Sequence, residues 1–343
     1  MGRKATLHEM RVKGGFPSEL GGHMAIKPDV QVENSIAQTI VDEALPGEQV
    51  REVSKLHGGE VAAIYEIALA SGRDSIVLKV YPPSLDWKMR KEANMLALVQ
   101  DRLRVPAPRV LAVDESKRHL VLNYLLMTKL AGVLLRSMEN TLDSQQYLGA
   151  YRQIGALFRD FHRIPMQGFG YIGTDGIVTP HSSNRSYLTT QFERKLEEYL
   201  RRGGDAVRAR RIAAHATKYA DLLDQCTAAV LCHNDLHAGN VLADVGLDGK
   251  VRLRGVLDFE NAQAADPLMD IAKAAYYLKL SERRALFEGY GGLGRRQGEL
   301  TLSYYHLYFA LVLWCWTAEI GDVGALPRLT RDLDGAMQIY SDQ

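Results

Sequence analysis

The chain has 343 residues, 46% of them apolar and 24% charged, with 42 Lys and Arg against 41 Asp and Glu. That length suits one large or two modest domains with a sizeable core, and the even charge balance supplies no basic field for nucleic acid. Cys226, Cys232 and Cys315 are an odd number without CxxC spacing, which argues against a disulfide framework or a zinc finger and fits a reducing cytoplasm.

Residues 1–23 show no apolar periodicity and no signal-peptide stretch, and with GGHM at their end they read as an expression leader or a disordered tail ahead of Met24. From Asn34, Ile36, Ile40, Val41, Ala44 and Leu45 share a helical face that Pro46-Gly47 ends. VREVSKL, VAAIYEIAL and SIVLKVY then predict an antiparallel meander, broken by HGGE and SGRD. A helix is expected over about residues 86–102, followed by strands in VPAPRVLAV and HLVLNYLLM. Beyond Leu130 the pattern turns helical, with helices at 147–164 and 187–202 and two short extended runs, AVLCHNDLHAGNVLA and VRLRGVLDFE. Asp266-Pro267 is an N-cap followed by proline at the first helical position, opening LMDIAKAAYYL. The most apolar run, YYHLYFALVLWCW, is shorter than the roughly 20 residues a bilayer span needs and reads as a buried helix. The expected plan is α+β: a small antiparallel-sheet lobe over 24–130, a larger helical lobe over 131–343, and a joint near Thr128 to Gly132.

The chemistry concentrates in LCHNDLHAGNVL, where His233, Asp235, His237 and Asn240 stand beside apolar strand residues. His233, Asp235 and His237 at i, i+2, i+4 would share one strand face, as zinc ligands do, yet no fourth ligand of equal quality is visible. A hydrogen-bonded structural turn is the plainer alternative. A phosphoryl-transfer loop fits better because it demands partners elsewhere: an Asp as base, an Asn a few residues on, and an Asp on the next strand for Mg²⁺. Asp235, Asn240 and Asp258 meet that spacing, and the two segments form a hairpin that joins Asn240 to Asp258. Lys79 in IVLKV and Glu92 on the following helix supply the lysine that holds phosphates and the carboxylate that holds the lysine.

With IVLKV, HNDLHAGNVL, VLDFENAQAADPLMDIA and YLLMTKLAG, the chain resembles the aminoglycoside phosphotransferase and choline kinase family from about Glu48 onward. The resemblance implies a two-lobed protein-kinase-like fold, with ATP or GTP as co-substrate and Mg²⁺. It implies Asp235 as catalytic base, Asn240 and Asp258 as metal ligands and Lys79 as the phosphate lysine. Adenine contacts are implied near Met127, Thr128 and Leu130, and Asp270 would brace the loop near His233, itself a packing residue. There are departures from that pattern. The nucleotide-covering loop carries Gly58 and Gly59 without the usual Ser or Asn, and Asn234 replaces the protein-kinase Arg. The GxGxxG at Gly289, Gly291 and Gly294 comes after a helical stretch, so it reads as a helix–helix turn rather than a dinucleotide site.

For the acceptor, Glu260, Asp266, Glu319 and Asp322 are the carboxylates left to recognise a substrate. They suit a cationic, hydroxylated small molecule, an aminoglycoside or aminocyclitol antibiotic whose phosphorylation confers resistance. Choline, homoserine, sugars and macrolides are alternatives, as is nucleotide binding without transfer. Neither a membrane nor a nucleic-acid partner is expected, and a cytoplasmic monomer is favoured.

Overall fold

A computed structural model describes residues 27–56 and 62–338. The leader expected at 1–23 and the loop glycines Gly58 and Gly59 lie outside the described residues.

The first helix, α1 (Asn34–Ala44), forms at the expected apolar spacing and buries Ala37, Ile40 and Val41. Beside it, β1 (Val50–Leu56), β2 (Ala63–Leu69), β3 (Ile76–Val80), β4 (Val110–Asp114) and β5 (Tyr124–Thr128) build an antiparallel sheet in the order β1-β2-β3-β5-β4. The strand expected over 119–127 begins only at Tyr124; residues 119–122 bend instead, and Leu120 is buried in the α1-side core. Period-two alternation decides what each face of the sheet does. Ile76, Leu78 and Val80 join Tyr124 and Leu126 in the core that includes α1, each fully buried Ile, Leu or Val contributing roughly 1.5–3 kcal/mol. Lys79 is paired with Leu125 and Val77 with Met127, so these four share the other face. There, Leu125 and Met127 join one core with Met89, Ala93, Leu96 and Val99 of the helix α2 (Trp87–Val99). A one-residue slip of β3 would drive the Lys79 ammonium into the apolar α1 side, so burial fixes the register.

After β5 the chain passes Gly132, whose φ is +94° and where a Cβ would sit 2.9 Å from the Ala243 carbonyl oxygen, so only glycine lets the joint run this close. The next elements are β6 (Val133–Leu134), α3 (Ser144–Phe161), β7 (Gly170–Gly173), β8 (Gly176–Ile177), α4 (Asn184–Arg201) and α5 (Ala206–Lys218). Then come β9 (Val230–Cys232), β10 (Val241–Val245), β11 (Val251–Val256), β12 (Gln263–Ala265), α6 (Pro267–Ala275), α7 (Leu280–Tyr290), α8 (Gly298–Glu319) and α9 (Leu326–Gln338). The architecture is two-lobed and α+β, with small sheets β11-β10-β6 and β8-β7-β12-β9 set among the helices. β6, β7, β8 and β12 have two to four residues each, too short to show a strand period in the sequence. Helix α8 holds the YYHLYFALVLWCW run, most of it buried. Among the described residues, no helix is long and apolar enough to cross a membrane.

The GxGxxG run is a helix–helix turn with two physical causes. A Cβ on Gly289 would lie 1.9 Å from the Arg152 carbonyl oxygen, so it lets α7 pack backbone-close on α3, and Gly291 ends α7 in the left-handed region at φ +93°.

Burial also makes one histidine of α8 acid-sensitive. His306 shares a hydrogen bond of 3.0 Å with the Ala272 carbonyl, and its Nε2 is the donor. Burial, then Arg283, pushes its pKa down to about 4. The unfolded histidine takes its proton near 6.5. Between those values the unfolded chain binds more protons, so stability is full above 6.5 and falls as pH drops towards 4. Urea unfolding at pH 7 and pH 5 should show that loss, and His306→Gln, which keeps a donor for Ala272, should flatten it. An unchanged pH slope in the variant would assign the acid loss to other groups.

Candidate active site

β9 delivers the chain to His233 at the centre of the helical lobe, and α6 fixes the loop beyond it. The Asp270 carboxylate accepts 2.8 Å hydrogen bonds from the backbone N–H of both His233 and Asn234. His162 on the segment after α3 reaches the same carboxylate at 3.3 Å and bonds Tyr290 through its other nitrogen at 2.9 Å. His233 is fully buried, shares a 3.0 Å bond with the Leu257 carbonyl through Nε2, and packs on Phe161 and Phe259. Asn234 takes φ +58°, a left-handed conformation that Asn tolerates better than most residues, whereas a long side chain gains nothing there.

Lys273, one helical turn beyond Asp270, donates to the Asn234 carbonyl and stands 3.5 Å from an Asp235 oxygen. Burial pulls the Lys273 pKa down to about 8, while Asp235 and Asp270 work to keep it charged. The other Asp235 oxygen accepts from the Asn261 amide at 3.2 Å, so the carboxylate is oriented from both sides.

Two residues later the turn closes on itself. His237 accepts from the Gly239 N–H at 3.0 Å through Nδ1, with the Arg136 guanidinium 3.3 Å from the same nitrogen, and burial lowers its pKa. The Asn240 amide donates to the Asp235 carbonyl at 2.9 Å, which leaves its oxygen as the ligating atom. The β10–β11 hairpin pairs Val241 with Val256, and the Leu257 N–H donates to the Asn240 carbonyl at 2.9 Å. Asp258 is thus one residue past Asn240's partner, and it too is left-handed, at φ +69°.

The sheet contributes Lys79. Its ammonium lies 2.7 Å from Glu92, 3.2 Å from Asp258 and 3.7 Å from Glu260, and Tyr81 donates to the same Glu92 carboxylate. Burial opposes the lysine's charge, yet Asp258, Glu92, Tyr81 and Glu260 together hold its pKa well above that of an ordinary lysine. Glu92, Asp258 and Glu260 offer oxygens within 4.8 Å of one another. Lys79 faces all three, and Lys88, 2.9 Å from Glu260, brings that carboxylate a second cation. Asp258, the most exposed of the three at about a third, and Asn240 at the base of the same hairpin are hard oxygen donors, a set that fits Mg²⁺.

Three of the four acceptor carboxylates are already paired within the chain. Asp266 is fully buried and accepts from the Leu268 N–H, Asn184, Arg295 and Tyr305 at 2.8, 3.2, 2.6 and 2.7 Å, so its oxygens are already engaged within the chain. Glu260 is committed to Lys88, and Glu319 lies 3.2 Å from Arg202. Asp322 sits half-buried in the turn between α8 and α9. Of the adenine-side residues, Met127 is buried, and Thr128 donates its N–H to the Arg109 carbonyl at 2.9 Å while its hydroxyl accepts from the Arg109 N–H at 2.9 Å; Leu130 follows two residues on at the joint. Among the described residues, His233, Asp235 and His237 form no metal-sized cluster. The group that does approach one, His162, Cys232 and Asp270, has its carboxylate satisfied by two backbone donors. Sequence reading missed Lys273, Asn261, Lys88, Arg136 and His162. Lys273 alone left a usable signal, its i+3 spacing from Asp270 on one helix face.

Comparison with known proteins gives a consistent picture. The family model described as "Phosphotransferase enzyme family" matches residues 52–300. A thermostable aminoglycoside phosphotransferase APH(4)-Ia, solved with AMP-PNP and hygromycin B, superposes with a TM-score of 0.65 at 19% identity, covering 88% of this chain and 97% of that one. The GDP and kanamycin complex of APH(2")-IIIa gives 0.63 at 14% identity over 88% and 97%. The protein-kinase-like fold is therefore shared with these enzymes. Among curated proteins, the Clavilactone A biosynthesis cluster protein Y of Ampulloclitocybe clavipes is 26% identical over 57% of this chain; the match spans 56% of that protein's length.

Proposed function

Because the chain belongs to the phosphotransferase enzyme family, we propose that it transfers the γ-phosphoryl group of ATP or GTP to a hydroxyl of a small molecule. Residues 24–130 supply the nucleotide side and residues 131–343 the catalytic and acceptor side. The observation that carries this reading is convergence: Lys79 from β3, Asp235 and Asn240 from the loop after β9, and Asp258 from the segment after β11 come together. Asp235 orients the acceptor hydroxyl and takes its proton as the oxygen bonds to phosphorus and the bond to the β-phosphate oxygen breaks, releasing the nucleoside diphosphate. Lys273 and Asn261 hold the Asp235 oxygens in place. Lys79 exchanges its Asp258 contact for the phosphates, and Glu92 keeps it aimed. Mg²⁺, held by Asn240 and Asp258, would neutralise phosphate charge when bound.

For the acceptor we put amino-sugar antibiotics first, since structural neighbours hold hygromycin B and kanamycin. The paired state of Glu260, Asp266 and Glu319 favours a second reading, a neutral polyhydroxylated acceptor. A nucleotide-turnover panel over both classes decides between them: added salt raises the KM of a cationic acceptor and leaves that of a neutral one unmoved.

Calorimetry tests the core of the reading. ATP or GTP should bind more tightly with Mg²⁺ than with EDTA, and Asp258→Asn should abolish the difference. Equal affinity with and without metal in the parent protein would remove Asn240 and Asp258 from the metal site.

A further inference from the structure

Glu92 can hold Lys79 only while α2 stays against the sheet, and the structure shows what keeps it there. Four residues of α2 meet elements beyond the joint. Trp87 meets Tyr171 edge-on with ring centroids 6.2 Å apart, and the Lys91 ammonium lies 3.7 Å from the same ring. Asn94 donates to the Thr174 carbonyl at 2.7 Å. Lys88 lies 2.9 Å from Glu260, both side chains almost wholly buried at 2% and 8% exposure. Residues 87, 91 and 94 lie on one helical stripe that docks on the β7–β8 hairpin, while Lys88 and Glu92, four apart, form the adjacent stripe facing the charged cleft.

Burying an ion pair is a poor way to gain stability. Desolvation costs several kcal/mol per ion, and an apolar residue of similar volume would pack α2 as well. What such a pair does supply is one particular arrangement. Glu260 is two residues past Asp258, so its bond to Lys88 ties the helix that carries Glu92 to the loop that carries Asp258. Its second oxygen, 3.7 Å from Lys79, closes the circuit.

We propose that Lys88 is a positioning residue: through Glu260 it latches α2 to the Asp258 loop, holding Glu92 on Lys79 and Asp258 at the hairpin base before any nucleotide arrives. This rests on the kinase reading only for its catalytic consequence. The latch itself is a set of contacts within the chain that hydrogen exchange reads without any nucleotide, so the two can fail separately.

The test combines hydrogen exchange with MgADP calorimetry on the full chain. Lys88→Met should speed amide exchange in residues 87–99 about tenfold and weaken MgADP about tenfold, the size of a coupling between contacting charged residues. Glu260→Gln should do the same, and the double variant should be no worse than the poorer single one. A merely structural lysine would instead lower urea stability across the whole chain, add its loss to that of Glu260→Gln, and leave MgADP affinity alone. Unchanged exchange in α2, or additive losses, would overturn the latch. If Lys88→Met does not fold, Lys88→Arg, which keeps the charge, should leave α2 exchange and MgADP affinity near the parent values while Glu260→Gln alone speeds the first and weakens the second; no change in Glu260→Gln also overturns the latch. A parent protein that binds no MgADP would sink the kinase reading, and the exchange data would still decide the latch.

Discussion

Asp235→Asn lowers kcat by about 10²–10⁴, the usual range for a general base, and leaves both KM values nearly unmoved. The substitution keeps shape and keeps an oxygen for Asn261, which bonds Asp235 at 3.2 Å. On the proposed reading, it removes the carboxylate that takes the acceptor's proton. The proposed ground-state contacts to nucleotide, from Lys79, Asn240 and Asp258, are not touched by the change, so binding should persist while chemistry stops. Lys273 makes the variant informative in a second way. Its ammonium, already pulled down by burial, loses its carboxylate partner 3.5 Å away and should shed its proton at lower pH than before. Turnover within threefold of the parent, in an assay with a productive acceptor, would show that another group takes the proton.

Asp266→Ala destabilises the fold by about 3–5 kcal/mol, the cost of stripping the partner from a buried charge. Arg295 would be left with its guanidinium largely buried, since Asp266 supports its charge against burial and lies 2.6 Å away. Asn184, Tyr305 and the Leu268 N–H lose their acceptor in the same step, and α6 loses its N-cap. Because α6 also carries Asp270 and Lys273, activity should fall with stability and not through acceptor KM. Equilibrium urea unfolding measures the first quantity, and acceptor titration the second. A stable variant with a selectively raised acceptor KM would restore the ligand role that the sequence suggested for Asp266.

How Asp266 came to be offered to the acceptor is instructive. A carboxylate before proline is legible as a helix cap, and the cap is there, with Asp266 accepting from the Leu268 N–H. What sequence cannot display is the other end of the residue's contacts: Asn184, Arg295 and Tyr305 lie 82, 29 and 39 positions away. The pairing of Glu260 was hidden for the same reason, since Lys88 precedes it by 172 residues. A count of acids in a stretch therefore says nothing about how many remain unpaired once distant bases arrive.

The sequence by itself determined the α+β plan and the residues that gather at the cleft. Helical and strand periods are local, so α1 and the β1–β3 meander were readable from apolar spacing alone. Asp235 and Asn240 share one loop, and a short hairpin delivers Asp258 to its base, so their meeting is a matter of chain connectivity. Only the tertiary structure decided which charges pair, which carboxylates are spent, and what holds α2 in place. Those outcomes depend on side chains brought together across the joint and between helices, where burial makes every unpaired ion costly and so selects partners that no local pattern announces.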